Sequence, residues 1–257
     1  MDDKFLVYQM QRSPSEKMGK RKRRKSLSGS TVFEDFHKDG STATVCLIVD
    51  NDAYIAYIGD SCAICFKKND TLVTFGDVHN TSNPEELKRV AESGGKLKRQ
   101  GSLQDPRSIV GCLRRNNAAP VRVSPGGLLI TRAFGDFHAK IEKYGGKPGV
   151  ILSSFDKVHH LPIDDSVEQI VLASDGVWDA MDDTTVKATI TRTAIAEQTK
   201  EAEDIYSSCV YKVLETAMES NYWDAKNTVA DNCTCVLVHF HTNASEKRFG
   251  DCLRTWN

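Results

Sequence analysis

From Gly40 onward the chain breaks into short apolar runs separated by two or three turn-forming residues, and this spacing limits the possible folds more than any other feature. Thr42 to Val49, Ala53 to Ile58 and Cys62 to Phe66 have the length and the β-branched and aromatic content of consecutive strands. Asp50-Asn51-Asp52 reads as a hairpin turn between the first two, and Gly59-Asp60-Ser61 as the next corner. Thr71 to Phe75 adds a fourth strand. Asn83-Pro84-Glu85-Glu86 then signals a helix, with Asn at the cap, Pro in the first turn and Glu three residues on. Its apolar face is expected to be Leu87, Val90 and Ala91, and Gly94-Gly95 ends it. Residues 96 to 126 are rich in turn formers and receive no assignment. Beyond them, Leu128 to Ile130, Ile151 to Ser153 and Gln169 to Ala173 read as strands, Thr184 to Ala196 and Glu201 to Ser220 as helices, and Cys233 to Phe240 as a last strand. Clustered strands with a few long helices, and no regular β-α alternation, define an α+β fold: a two-sheet, largely antiparallel β-sandwich flanked by helices.

The 257 residues, 40% hydrophobic and 27% charged, suffice for the core of one large domain. No apolar run approaches the roughly 18 to 20 residues needed to span a bilayer. Met1-Asp2-Asp3-Lys4 lacks the basic-then-apolar layout of a secretory signal, so the expectation is an intracellular protein of the nucleus or cytoplasm with no membrane partner. Cysteines in that setting stay reduced. Cys62 and Cys65 form a C-x-x-C and Cys233 and Cys235 a C-x-C, formally enough for a four-thiolate zinc site. Both pairs lie in strand-like apolar runs, where cysteine behaves as a small buried hydrophobe, and that reading is preferred.

Charge is unevenly distributed. Residues 1 to 30 hold nine Lys and Arg against three acids, which leaves −7 for the remainder of a chain whose net charge is −1. Lys17 to Lys25 contains seven basic residues in nine and has no apolar periodicity, so residues 1 to 36 read as a basic, flexible tail. It is either a nuclear-localisation or polyanion-binding arm or a solvated extension, and the sequence leaves both open. The acidic remainder argues against nucleic acid as a partner. Arg23-Arg24-Lys25-Ser26 has the form of a basophilic-kinase target, which makes Ser26 a candidate phosphosite. Residues 37 to 242 are assigned to the folded domain and 243 to 257 to a C-terminal extension.

There is no G-x-x-x-x-G-K-[ST], G-x-S-x-G or H-E-x-x-H in the chain, which weakens nucleotide-triphosphatase, α/β-hydrolase and zincin readings. Instead, acids stand at strand edges. The apolar run Ile170-Val171-Leu172-Ala173 leads into Ser174-Asp175-Gly176, with Asp179 just beyond, and Asp231-Asn232 immediately precedes the last strand. If those two strands are antiparallel neighbours, Asp175 and Asp231 converge. Asp60, at the corner after Ile58-Gly59, is a third acid of the same kind. Singly, each could be a turn residue or a helix cap. Gathered at one end of a sheet they would repel unless a cation intervened, and an all-oxygen set suits hard ions such as Mg²⁺ or Mn²⁺.

Five segments together resemble a known family. Gly40-Ser41-Thr42-Ala43, Ile58-Gly59-Asp60-Ser61, Thr131-Arg132-Ala133-Phe134-Gly135-Asp136, Leu172 to Asp179 and Asp231-Asn232-Cys233-Thr234 are similar, in order, to motifs of the metal-dependent protein serine/threonine phosphatases, the PPM type or protein phosphatase 2C. The Asn83 to Gly95 helix is similar as well. Thr131 stands where a serine is usual and Cys62 where an arginine is usual. The resemblance implies a β-sandwich with a two-metal Mg²⁺ or Mn²⁺ centre at one sheet edge, where a metal-activated water hydrolyses phosphoserine or phosphothreonine in phosphoproteins. It implies that Asp175 and Asp231 are ligands of the first metal, and that Asp60 and Asp179, with Asp175, hold an additional weaker one. Arg132 and Asp136 are expected to be structural.

Upstream of Gly40 the resemblance fails. The family's phosphate-binding Arg, its Glu-Asp pair and its Asp-Gly-His-Gly segment have no match, since Asp39-Gly40 continues as Ser41-Thr42 and Glu34-Asp35 and His37 lie too close to the next motif. No catalytic residue is therefore assigned. The expectations are incomplete metal binding, weak or no activity of this chain alone, and apolar sheet surface left for a partner. The alternative is a pseudophosphatase that binds phosphoproteins or partners without turnover.

Overall fold

The computed structural model describes residues 38–99, 120–224 and 231–240. The basic tail with Ser26, Glu34-Asp35, His37 and the 243–257 extension lie outside the described residues. In chain order the elements are β1 (Gly40–Ser41), β2 (Ala43–Val49), β3 (Asp52–Ile58), β4 (Cys62–Lys67), β5 (Leu72–Thr74), α1 (Pro84–Glu92), β6 (Lys96–Arg99), β7 (Val121–Ser124) and β8 (Phe134–Gly135). They continue with α2 (Phe137–Lys140), β9 (His159–Pro162), β10 (Val167–Ala173), α3 (Asp175–Trp178), α4 (Asp183–Ala196), α5 (Ala202–Asp224) and β11 (Cys235–His239). No described helix is long and apolar enough to cross a membrane. The chain divides into two compact units, one taking His79–Phe155 with the stretch up to Ala43, the other Thr44–Val78 with the chain from Asp156 onward.

The second unit is a β-sandwich with helices on one face. One sheet has the order β11-β10-β4-β5 and the other β2-β3-β9, and the β10–β11, β10–β4, β4–β5 and β3–β9 pairings are antiparallel. Residues alternate between faces along each strand. Ala63, Cys65 and Ile170 therefore point from the four-stranded sheet toward Ala53, Ile55, Tyr57 and Leu161 of the other, forming the core between the sheets. Ile64, Phe66, Val171, Ala173 and Leu237 point the opposite way, onto the helices. There α4 contributes Val186 and Ile190, spaced i and i+4, while α5 contributes Cys209, Val213 and Ala217 at i, i+4 and i+8, all three fully buried. Asp182 starts α4 by accepting a hydrogen bond from the Thr185 amide at 2.7 Å. The cysteines behave as packing residues: Cys65 and Cys235 are buried on opposite faces of the sheet and no described cysteine is in a disulfide.

The first unit is smaller. Its core is Val90, Val123, Ala133, Ala139, Val150 and Ile151, with β6–β7 and β1–β8 as two-stranded antiparallel pairs. Helix α1 forms where expected, Asn83 Oδ1 accepting from the Glu85 and Glu86 amides at 3.0 and 3.3 Å. The face it buries differs from the expectation. Val90 is buried, but Ala91 is exposed and Glu86 is 4% exposed. A carboxylate can take that place because every buried lone pair finds a donor: Thr131 Oγ1 at 2.6 Å, Arg132 Nη2 at 2.7 Å and Arg89 Nη2 at 2.8 Å.

Two strand expectations are corrected, and strands lie where none was expected. Leu128 to Ile130 and Ile151 to Ser153 are not strands, because Leu128, Ile130 and Leu152 each make one isolated bridge, to Val123, Asn80 and Arg132. Their apolar side chains serve the core while the backbone changes partner at every step. The unassigned stretch after Gly95 contains the antiparallel pair β6–β7, whose first strand Lys-Leu-Lys-Arg is exposed throughout and carries no burial pattern. β9 went unrecognised because His159-His160-Leu161-Pro162 has a single aliphatic residue.

Candidate active site

Three strand ends of the four-stranded sheet meet at one edge of the second unit. In the ladders, Ala173 at the end of β10 lies opposite Cys62 at the start of β4 and opposite Cys235 at the start of β11. Asp60 precedes Cys62 by two residues, Asp175 follows Ala173 by two, and Asp231 stands four before Cys235, so antiparallel pairing brings all three acids to the same edge. Asp179 joins them one turn along, its amide donating to the Asp175 carbonyl at 2.7 Å.

Local chemistry fixes these segments. Gly59, at φ 96°, turns the chain between β3 and β4 in the left-handed region that side chains avoid. Past β10 the ladder to β11 continues through a serine: the Ser174 amide donates to Thr234 O, the Thr234 amide to Ser174 Oγ, and Ser174 Oγ to Asn232 O, at 3.0, 3.0 and 3.2 Å. This ties the Asp175 segment to the Asp231 segment. Gly176 is required by that approach, since a Cβ there would stand 2.6 Å from Asn232 O. The Trp178 indole N–H donates to Ala173 O at 2.9 Å and anchors α3 to the strand it follows.

Electrostatics report the crowding. Burial and then the Asp175 charge push Asp60 up to about 6, with smaller contributions from Asp179 and Asp231 and a lowering backbone hydrogen bond of its own. Asp175 is raised by burial and by Asp231, and Asp179 by burial, Asp175 and Asp231. Burial and the Asp60 charge lift the neighbouring Cys62 thiol to about 12. Like charges that suppress one another's ionisation are relieved by a cation, and an all-carboxylate set suits a hard divalent one. In donor chemistry the residues fit Mg²⁺ or Mn²⁺. Among the described residues, however, no three His, Cys, Asp or Glu side chains are grouped closely enough to hold an ion unaided.

Arg132 and Asp136 belong to the first unit. Arg132 donates to Glu86 and, at 3.1 Å, to Ser154 O. Asp136 is 4% exposed, sits at φ 49°, and receives Gly40 so closely that any Cβ there would overlap its carboxylate; its amide donates to Asp39 O at 2.8 Å. Sequence reasoning missed Glu86 as the centre of this network. Position two residues into a capped helix reads as a solvated first-turn acid, and nothing in the local spacing marks it as buried.

Fold, strand-edge acids and motif order define a PP2C-type phosphatase architecture. The protein phosphatase 2C family model matches residues 6–224, and the chain belongs to that family. Among curated relatives, it is 27% identical to probable protein phosphatase 2C 76 of Arabidopsis thaliana over 83% of this chain and 40% of that protein. It is 31% identical to protein phosphatase 2C homolog 3 of Schizosaccharomyces pombe over 71% of this chain and 39% of that one. The chain thus spans less than half the length of these relatives. Among solved structures, a serine-threonine phosphatase 2C from Toxoplasma gondii superposes with a TM-score of 0.55 at 18% identity, covering 79% of this chain and 58% of that one. A C. elegans sex determining protein superposes with a TM-score of 0.57 at 24% identity, covering 77% and 40%. These likenesses show a shared fold.

Proposed function

We propose that this chain carries the acidic part of a Mg²⁺- or Mn²⁺-dependent phosphatase centre whose substrates are phosphoserine and phosphothreonine in proteins. The observation that supports this most is the convergence of Asp60, Asp175, Asp179 and Asp231 at one sheet edge, the first three with their carboxyl pKa raised by burial and, beyond that, by the charge of one or more of the others. On this reading Asp175 and Asp231 hold the ion and Asp60 and Asp179 border it. When bound, such an ion lowers the pKa of a water and neutralises phosphoryl oxygens. The chain's own contribution is positional: Ser174 fastens the two ligand segments together, Gly176 permits their approach, and the Trp178 indole holds α3.

Turnover by this chain alone is expected to be slow, because the sequence contains no Asp-Gly-His-Gly segment. The same observation favours a second reading, a pseudophosphatase that binds phosphoproteins without hydrolysing them. Placement in the nucleus or cytoplasm belongs to the proposal and rests on the sequence. Calorimetric titration with Mn²⁺, beside hydrolysis of a phosphothreonine peptide, tests it. Weak Mn²⁺ binding lost in both Asp175→Asn and Asp231→Asn is the expected result, with any hydrolysis lost in parallel. Mn²⁺ binding indifferent to both substitutions would overturn the site. Peptide binding with no hydrolysis at saturating Mn²⁺ would select the second reading.

A further inference from the structure

We propose that the outward face of the two-stranded β6–β7 ribbon is a docking surface for a short acidic segment of a phosphoprotein; this rests on the reading that phosphoproteins are the chain's partners. Strand β6, Lys-Leu-Lys-Arg, is exposed along its whole length. The register sets Leu97 opposite Val123, which is fully buried in the core of the first unit, so the Val123 side of the ribbon is its inner face. Lys96, Lys98 and Arg122 alternate with that pair along the strands and share the other face. Lys98 stands directly opposite Arg122. The Cβ atoms of such a pair lie about 4.5 to 5.5 Å apart, and like charges so placed oppose strand pairing. Lys96 and Lys98 make no ion pair among the described residues, and Arg122 donates to Gly127 O at 2.9 Å. An electrostatic cost is thus built into the ribbon, and an anion on this face would remove it.

The parts of this chain outside the described residues have the wrong sign for that anion. Residues 1–37 hold nine Lys and Arg against five acids, 100–119 three against one, 225–230 one against none and 241–257 three against two, so each is net basic. An acidic segment of another protein has the right sign, and an extended one has the right spacing. Lys96 and Lys98 are two residues apart on one strand, about 7 Å, and acids at alternate positions of an extended peptide repeat at the same distance. Arg122 adds a second cation at the Lys98 end. Four residues per strand cover about 14 Å, the length of a short peptide. A nucleic acid, whose charge continues past that length, would meet a chain whose described residues hold 27 acids against 18 Lys and Arg. An exposed ion pair raises affinity by at most about fivefold, so the surface selects among partners and does not hold one tightly.

Fluorescence anisotropy of a labelled Glu-Ala-Glu-Ala-Glu peptide with the full chain, at low salt and without metal, tests the surface. The probe carries no phosphate and the buffer no metal, so the outcome is independent of whether Asp175 and Asp231 hold an ion. Saturable binding that weakens as salt rises is expected. Lys96→Gln/Lys98→Gln is expected to weaken it by about three- to twenty-five-fold, and the charge-matched tail variant Arg23→Gln/Arg24→Gln by less than about twofold. Lys98→Glu guards against misfolding. It turns the like-charged pair with Arg122 into an ion pair, so hydrogen exchange at the β6 and β7 amides is expected to slow by up to about fivefold while peptide affinity falls. The proposal is overturned by an absence of saturable binding, by a smaller loss than that in the double ribbon variant, or by an equal loss in the tail variant. Exchange that does not slow in Lys98→Glu also overturns it, as does ribbon-dependent binding of single-stranded DNA tighter than that of the peptide.

Discussion

Replacing Glu86 by glutamine removes one charge and almost no volume, which makes it a clean perturbation of the first unit. The side chain is 5% exposed and bonded to two guanidinium groups and a threonine hydroxyl. Burial alone would raise its pKa. The hydrogen bonds from Arg132, Arg89 and Thr131, with the Arg89 charge, overcome that and hold it at about 2 against an ordinary 4.5. At 1.36 kcal/mol per pH unit this gap corresponds to about 3 kcal/mol of stabilisation. Breaking a buried ion pair by removing one partner costs about 3 to 5 kcal/mol, because the orphaned charge stays desolvated. Both routes place Glu86→Gln near 3 kcal/mol, whereas the exposed neighbour change Glu85→Gln is expected to cost under about 0.5 kcal/mol. The pH dependence has a definite sign. A depressed carboxyl pKa stabilises the folded state fully above about 4.5, and the contribution fades as pH falls toward about 2. The gap between wild type and variant is therefore constant near neutrality and closes on acidification. None of the three tryptophans lies in this unit, so hydrogen exchange on peptides covering Pro84–Glu92 in a urea series is the assay. A loss below about 1 kcal/mol, or a gap that persists unchanged to pH 3, would refute the account.

Other consequences can be measured on the same protein. Asp60→Asn is expected to raise the unfolding free energy of the chain in chelator, read from urea titrations, by about 1 to 2 kcal/mol near pH 7, since a carboxyl pushed up to about 6 opposes folding at higher pH and stops doing so as pH falls through 6 toward its ordinary 3.8; an unchanged midpoint would count against the crowding. Gly40→Ala is expected to destabilise the first unit by about 1 to 3 kcal/mol, because its Cβ would overlap the buried Asp136 carboxylate, and hydrogen exchange at β1 and β8 reads the effect. Asn83→Ala deletes the cap of α1 and is expected to cost about 1 kcal/mol in the same urea series used for Glu86, with faster exchange at the Glu85 and Glu86 amides.

Legibility followed the range of each signal. Strands β2 to β5 and helices α1, α4 and α5 were readable because period-2 and 3.6-residue patterns and capping residues act over a few positions. β9 was not, since His159 is held by rings from elsewhere in the chain, stacked on Tyr57 and edge-on to Phe75, and no local pattern encodes that. Arg132 was placed in a structural role from its motif, yet its carboxylate partner lies 46 residues upstream and passed for a solvated first-turn acid. The common edge of Asp60, Asp175 and Asp231 was readable for the opposite reason: each of the three sits within four residues of a strand end, so the pairing of β10 with β4 and β11 brings them to one place.

Glu86 and Asp60 show how the chain treats buried acid differently in its two units. Around Glu86 the unit supplies more positive charge than the carboxylate carries, every donor is aimed, and the pKa falls: the arrangement is complete and stabilises by itself. Around Asp60 burial and three further carboxylates outweigh one lowering backbone hydrogen bond, and the pKa rises. A fold able to neutralise an acid so fully in one unit, and leaving four crowded in the other, is carrying an electrostatic cost that an added cation would remove. Sites that break the local rules of stability are where function is to be sought. The argument needs no motif: a divalent ion should raise the stability of the second unit by at least what Asp60→Asn gains, and should gain nothing further once Asp175 and Asp231 are both neutral.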